Sequence, residues 1–315
     1  MVALGHNLSV SAAPAGGGKR RTYPLAGPLD LALTLGPLRH GFGDPTIRLG
    51  PDGAWRATRT LAGPASLHLT RDGARIVAAA WGPGAEAALD AVPALLGFDD
   101  DPAAFRPANP LLARLHHRLP GLRIGRTSAV FEALLPAIVE QKVVGDEARR
   151  SYRMLIRRYG EAAPGPGDLR LAPSPEKLAA LPYFAFHPLG IERRRADTIR
   201  RAAAHAGRLE EAARMTAEAA SRRLTAIPGI GSWTAAEALR VALGDPDLIS
   251  LGDYHLPNMV AWALAGEPRG DDRRMLELLE PYRGQRGRVI RLLEAAGITA
   301  PRFGARMATR SIAAM

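Results

Sequence analysis

The chain contains no cysteine. That excludes disulfides, cysteine-ligated zinc, iron–sulfur clusters and thiol nucleophiles together. Lysine is nearly missing as well: Lys19, Lys142 and Lys177 are the three in 315 residues. No apolar stretch reaches the roughly 18–20 uncharged residues that a membrane helix needs. The first 25 residues have no continuous apolar run of the secretion-signal kind, and carry Gly16-Gly17-Gly18-Lys19-Arg20-Arg21 instead. The expectation is a cytoplasmic protein without a membrane partner.

What is present is a core and a charge. Apolar residues make up 47%, ordinary for a globular protein, and the length suits two or three compact units. The net charge is +11, nearly all of it from arginine. Such a balance points to a polyanion, most often nucleic acid. An arginine-rich composition bias is the plainer alternative.

Four segments are expected. Residues 1–22 read as a disordered basic lead, because the Ala-Pro-Ala-Gly-Gly-Gly run buries too little apolar surface to offset its ordering entropy. Residues 23–100 read as a small α+β unit. Strands are expected at 54–61, 66–70 and 75–81, with Pro51-Asp52-Gly53 and Asp72-Gly73 as turns and one helix over 85–96. From 101 to 298 the apolar period changes to 3.6 and the reading is all-α. Phe131, Leu134, Leu135, Ile138 and Val139 share one helical face, which Pro136 interrupts. Further helices are expected near 148–159, 174–181, 192–206, 216–226, 233–243, 255–264, 271–280 and 284–295, with a Gly/Pro linker near 160–167. Residues 299–315 read as a basic tail.

The stretch that carries chemistry is Leu224-Thr225-Ala226-Ile227-Pro228-Gly229-Ile230-Gly231-Ser232-Trp233-Thr234-Ala235. It joins two helical patterns. Gly229 and Gly231 permit a tight turn and a close backbone approach. The amides of Gly229, Ile230, Gly231, Ser232 and Trp233 then lie at a helix N-terminus, where unpaired N–H groups and the dipole favour an anion such as a DNA phosphate. Taken alone, the motif fits a plain helix–helix turn equally well. Asp253 lies 22 residues beyond Gly231 in Ser250-Leu251-Gly252-Asp253-Tyr254-His255. A lone Asp there reads as a helix cap; hairpin, spacing and Asp together are more specific.

These residues resemble the helix-hairpin-helix DNA glycosylases, and within them the alkylpurine branch of the 3-methyladenine glycosylase II type. The resemblance covers about 128–297. Residues 130–145, with Glu140-Gln141-Lys142, resemble the helix before the lesion pocket, and Glu280-Pro281-Tyr282-Arg283 resembles a pocket segment that often carries Trp. The β-rich part matches the family's N-terminal sheet domain more weakly. The fold this implies is α+β: a small antiparallel sheet domain, then an all-α helix-hairpin-helix glycosylase domain.

The resemblance implies hydrolysis of the N-glycosidic bond of a damaged base flipped out of double-stranded DNA. Asp253 would be the carboxylate that stabilises oxocarbenium charge on the sugar. Trp233 and Tyr282 would offer aromatic faces to a cationic alkylpurine. Tyr254 would pack under Asp253 or contact the substrate and could equally be core, and Trp262 reads as core. Gln141 and Lys142 lie near the family's wedge position, where Lys142 departs from an apolar or amide side chain. Gly229, Ile230, Gly231, Ser232, Thr234 and Lys142 are the candidate DNA contacts. The carbonyls of Thr225, Ile227 and Gly229 would hold a monovalent cation; no other cofactor and no protein partner is implied. Where strand-cutting relatives carry a catalytic Lys, this chain has Trp233, so a Schiff-base lyase is not expected. Asp245 and Asp247 read as solvated turn residues, Asp271 and Asp272 as helix caps, and His187 and His255 as capping or surface groups. Two other readings stay open: an oxidised-purine glycosylase, and a non-catalytic helix-hairpin-helix DNA-binding protein, which would need the hairpin but not Asp253.

Overall fold

The computed structural model describes residues 17–301. Five strands form one antiparallel sheet in the order β1-β5-β4-β3-β2. They are β1 (Lys19–Pro24), β2 (Ile47–Gly50), β3 (Gly53–Thr60), β4 (Gly63–Asp72) and β5 (Arg75–Trp81). The three expected strands are present, and the Asp72-Gly73 turn closes the β4–β5 hairpin. Strand β1 corrects the disordered lead from Lys19 onward. Its register runs from Lys19 opposite Ala80 to Pro24 opposite Arg75. Arg21 pairs with Glu86 and Asp90, and Tyr23 is buried with its hydroxyl donating to the Leu89 carbonyl. Sheet pairing and these contacts supply what the composition alone lacks. Residues 1–16 and 302–315 of the lead and tail lie outside the described residues.

Both faces of the sheet are covered, by the period-2 alternation of its strands. Ala54, Ile76, Ala78 and Ala80 face a core shared with α1 (Leu31–Leu35), α2 (Ala85–Asp90) and α3 (Val92–Leu95). The helix expected over 85–96 is therefore two, broken at Ala91 just before Val92-Pro93. Trp55, Ala57, Ala79 and Trp81 face the other way, against Leu169 and Leu171. Leu171 belongs to a two-stranded ribbon, β6 (Glu161–Ala162) with β7 (Arg170–Leu171). This ribbon corrects the all-α reading of 101–298 and replaces the linker near 160–167. Gly165 and Gly167 make its close seat possible, since a Cβ on either would strike Trp81 or Trp55.

Two helical cores follow. The first is built by α5 (Val130–Val139), α6 (Gly145–Tyr159), α7 (Pro175–Ala180), α8 (Arg193–Ala204), α9 (Ala206–Glu210), α10 (Ala217–Thr225) and α11 (Ser232–Leu243). Pro136 lies inside α5. Glu210 caps that helix from outside, accepting from the Val130 and Phe131 amides at 2.8 and 2.9 Å. The second core joins α4 (Pro110–Arg118), α12 (Leu256–Ala265), α13 (Asp272–Leu279) and α14 (Arg286–Ala295). In α12 the buried stripe is Leu256, Met259 and Val260. Trp262 falls on its flank and is 39% exposed, which corrects its reading as core.

Ion pairs tie the parts together. Arg240 of α11 reaches Glu294 of α14 at 2.9 Å. Arg288 is fully buried against Asp100, which also accepts from the Ile124 amide at 2.9 Å. Asp247 is not a solvated turn residue. It holds Arg286 through both carboxylate oxygens and accepts from the Gly284 amide at 2.7 Å.

Candidate active site

Helices α10 and α11 are joined by residues 226–231, and Gly231 is the N-cap of α11. The cap has no side chain, so the first-turn amides of Ser232, Trp233 and Thr234 receive no side-chain acceptor from it. The two glycines serve different ends. Gly229 has φ +100°, and a Cβ there would lie 2.2 Å from Thr198 Oγ1 on α8. At Gly231 a Cβ would meet nothing within 4 Å. One glycine is required by packing; the other leaves open space beside free amides.

The hairpin is gripped from two sides. Arg201 of α8 donates to the Pro228 carbonyl at 3.2 Å. Gln141 Nε2, just past the end of α5, donates to the Gly229 carbonyl at 3.0 Å and to Thr234 Oγ1 at 2.9 Å. Because a carbonyl only accepts, the amide orientation of Gln141 is set by its partners. The end of α5 is itself pinned: buried Arg195 donates to the carbonyls of Val139 and Gly190 at 2.7 and 3.1 Å. Gln141 thus braces the hairpin. Thr234 is buried beneath it. Lys142 follows with φ +56° and an exposed side chain.

Asp253 lies at the other end of α11's path, just before α12. Its Oδ1 accepts from the His255 and Leu256 amides at 2.7 and 2.8 Å, which caps α12. Its Oδ2 accepts from Trp233 Nε1 at 2.9 Å. Asp253 thus caps a helix and faces the hairpin at once. The carboxylate is half-buried and, among the described residues, forms no ion pair with an arginine. A neighbour adds to its placement. Asp272 accepts from the Gly252 amide at 2.7 Å, so one expected capping acid instead anchors the loop that presents Asp253. Asp271 caps α13 as expected, accepting from Arg274 N at 2.8 Å.

The other candidates divide. Tyr254 does not pack under Asp253; it is 82% exposed, with its ring edge-on to His255. Tyr282 sits on the turn Glu280–Tyr282 and leans on Phe105, 6.1 Å between ring centres, at the rim of the second helical core. Of the three candidate cation carbonyls, that of Ile227 accepts from Ile230 N at 3.0 Å and that of Gly229 from Gln141. Each keeps a second lone pair, and Thr225 closes α10 beside them.

A cavity between the sheet and the first helical core is lined by Glu132, Glu140 and Glu237 with His40, Arg56 and Tyr152. Glu237 lies one helical turn from Trp233 on α11. Glu132 binds Arg56 at 2.6 Å and Thr58 at 2.7 Å. These residues were not among the expected site residues, because they come together from the loop before β2 and from β3, α5, α6 and α11.

No protein-family model matches the chain. DNA-3-methyladenine glycosylase 2 of Escherichia coli is 30% identical over 179 residues, 56% of this chain. Matched segments cover 46% and 61% of the curated relatives' own lengths, so the chain spans about half to three fifths of them. The 3-methyladenine DNA glycosylase of Archaeoglobus fulgidus superposes with a TM-score of 0.72 at 21% identity, covering 87% of this chain and 97% of its own. An 8-oxoguanine glycosylase/lyase of Clostridium acetobutylicum, solved with double-stranded DNA, gives 0.65 at 14% identity, covering 92% and 97%. The chain therefore shares the fold of these solved DNA glycosylases, and its curated relatives, named as DNA-3-methyladenine glycosylases, support the 3-methyladenine glycosylase II resemblance read from the hairpin.

Proposed function

We propose that the chain is a monofunctional DNA glycosylase of base excision repair, which flips an alkylated purine such as 3-methyladenine out of double-stranded DNA and hydrolyses its N-glycosidic bond. The observation that carries this reading is the Trp233–Asp253 pair beside the open Gly231 turn. The free amides of α11 take a phosphate. That grip sets the adjacent deoxyribose against the Asp253 carboxylate. As the C1′–N bond breaks, its electrons neutralise the cationic base, positive charge develops on the sugar, and Asp253 stabilises it. Water then adds to C1′ and loses a proton. Asp253 cannot drift, since three N–H donors hold it. The Trp233 indole edge is committed to the carboxylate, while its face remains for the cationic ring.

The reaction needs no cofactor. A monovalent cation on the carbonyls of Thr225, Ile227 and Gly229 would supply a counter-charge between hairpin and phosphate. The oxidised-purine reading in its usual lyase form requires an amine where this chain has Trp233, which argues against it.

A panel of duplexes, each with one lesion, tests the function by release of free base. Alkylpurine duplexes should release base and leave the strand uncut. Affinity should fall steeply with salt, because phosphate contacts release counterions. Absence of base release from every alkylpurine duplex, or a flat salt dependence, refutes the reading.

A further inference from the structure

The α11 amides and the Asp253 carboxylate belong to different helical cores, so something must fix the distance between them. Two of the three donors on Asp253, the His255 and Leu256 amides, travel with α12 and cannot set that distance. Trp233 can, through one hydrogen bond. A second tie lies one turn further along α11. Glu237 follows Trp233 by four residues, so the two share a helical face about 6 Å apart along the axis. Glu237 Oε1 accepts from the hydroxyl of Ser250, three residues before Asp253. The loop therefore meets one face of α11 at two rungs, Trp233 with Asp253 and Glu237 with Ser250.

The second rung is buried and braced. Ser250 is fully buried, and an ionised carboxylate only accepts, so the hydroxyl hydrogen is committed to Glu237. Glu237 Oε1 also accepts from Arg240 Nη1 at 3.1 Å. Arg240 Nη2 in turn reaches both carboxylate oxygens of Glu294 on α14, at 3.0 and 2.9 Å. Glu237 is thus tied, through Arg240, to the second core. The loop has little else to place it. Leu248 packs against the first core and Ile249 against the second, so the chain runs along the seam. Among the described residues, the Ser250 bond is the one hydrogen bond that residues 249–251 make to the rest of the chain. Gly252 follows with φ +81° and open space where a Cβ would stand. Its amide is held by Asp272 of α13, which also belongs to the second core. Without Glu237, the approach of this loop to α11 hangs on a single indole.

We propose that Glu237 is a positioning residue for Asp253: by holding Ser250 it keeps the carboxylate at the distance from the hairpin that a phosphate-bound deoxyribose requires. This rests on the glycosylase reading and deepens it. On this account neither Glu237 nor Ser250 touches the nucleotide. Their loss is felt in the rate of bond breaking, not in affinity for the duplex. Removing one hydrogen bond to a charged group corresponds to about a tenfold change.

The experiment measures single-turnover base release against enzyme concentration, on the alkylpurine duplex that wild type processes fastest. S250A should lower the saturating rate about tenfold and leave the half-saturating concentration unchanged. E237A should do the same, and E237Q, which keeps the accepting oxygen, should recover most of the loss. The double variant E237A/S250A should be no slower than E237A, because the two residues form one rung. Thermal melting shows that each variant is folded at the assay temperature. Should E237A fail to fold, S250C takes its place: it keeps the buried volume with a weak donor and should fall between S250A and wild type. A wild-type rate in S250A overturns the proposal while base release itself stands. So does a loss confined to the half-saturating concentration, or a double variant slower than E237A by the full S250A factor. If wild type releases no base, the glycosylase reading fails first and the positioning role with it.

Discussion

Trp233 and Asp253 belong to different helical cores, and the 2.9 Å bond from indole to carboxylate crosses between them. Trp233 rides on α11 in the first core, and Asp253 heads α12 in the second. Replacing Trp233 by Phe keeps a ring but removes the donor. A hydrogen bond to a charged group contributes about 1.5–3 kcal/mol, so single-turnover base release in W233F should slow about 10- to 100-fold while duplex affinity is retained. D253N should abolish release and also retain binding. An unchanged rate in either variant removes its assigned role.

The two hairpin glycines should behave oppositely. G229A forces a Cβ onto Thr198 and strains a left-handed backbone, at a cost of about 1–3 kcal/mol, visible as a lower melting temperature. G231A meets no protein atom and has ordinary φ. It should melt like wild type yet bind DNA more weakly, because its methyl group stands where a phosphate would approach. Equal loss of stability in both variants contradicts this division.

Gln141 offers a test of order. Q141A deletes two donated hydrogen bonds and should lose about 1–2 kcal/mol in denaturant titration. Q141E places a carboxylate oxygen against the Gly229 carbonyl and should be worse than Q141A. If the glutamate variant is the more stable, the brace is misassigned.

Acid should loosen the junction of α11 with α14. Burial pushes the Glu294 carboxyl up, but Arg240 and Arg291 outweigh it and hold it below its ordinary value. Asp247 behaves alike: burial opposes and Arg286 prevails. Unfolded chains take up these protons first as pH falls, so stability is full above the usual carboxylate range near 4 and drains below it. E294Q should flatten the acid limb of melting temperature against pH. An identical limb would show that the pair contributes nothing.

Much of this was legible in the sequence. The stripes of α5, α8, α11 and α14 stand out because packing against one core imposes a 3.6 period. Gly229 and Gly231 were readable because a tight turn restricts residue type, and Asp253 joined them only through the family resemblance. What escaped was long-range. Gln141 finds Gly229 across 88 residues, and Arg286 finds Asp247 across 39. Neither partner leaves a local signal. Strand β1 was missed because Lys-Arg-Arg-Thr-Tyr-Pro shows its pairing only when β5 is beside it. The ribbon β6–β7 has two residues per strand, too few for any period to show.

The stacked indoles of Trp55 and Trp81, 5.5 Å apart, lean on a ribbon that comes from beyond the sheet's own stretch of chain. The ribbon cannot be cut away without wetting two tryptophans. The sheet is therefore anchored to the helical body through stacked indoles, and a fragment ending before the ribbon would have to carry both of them uncovered.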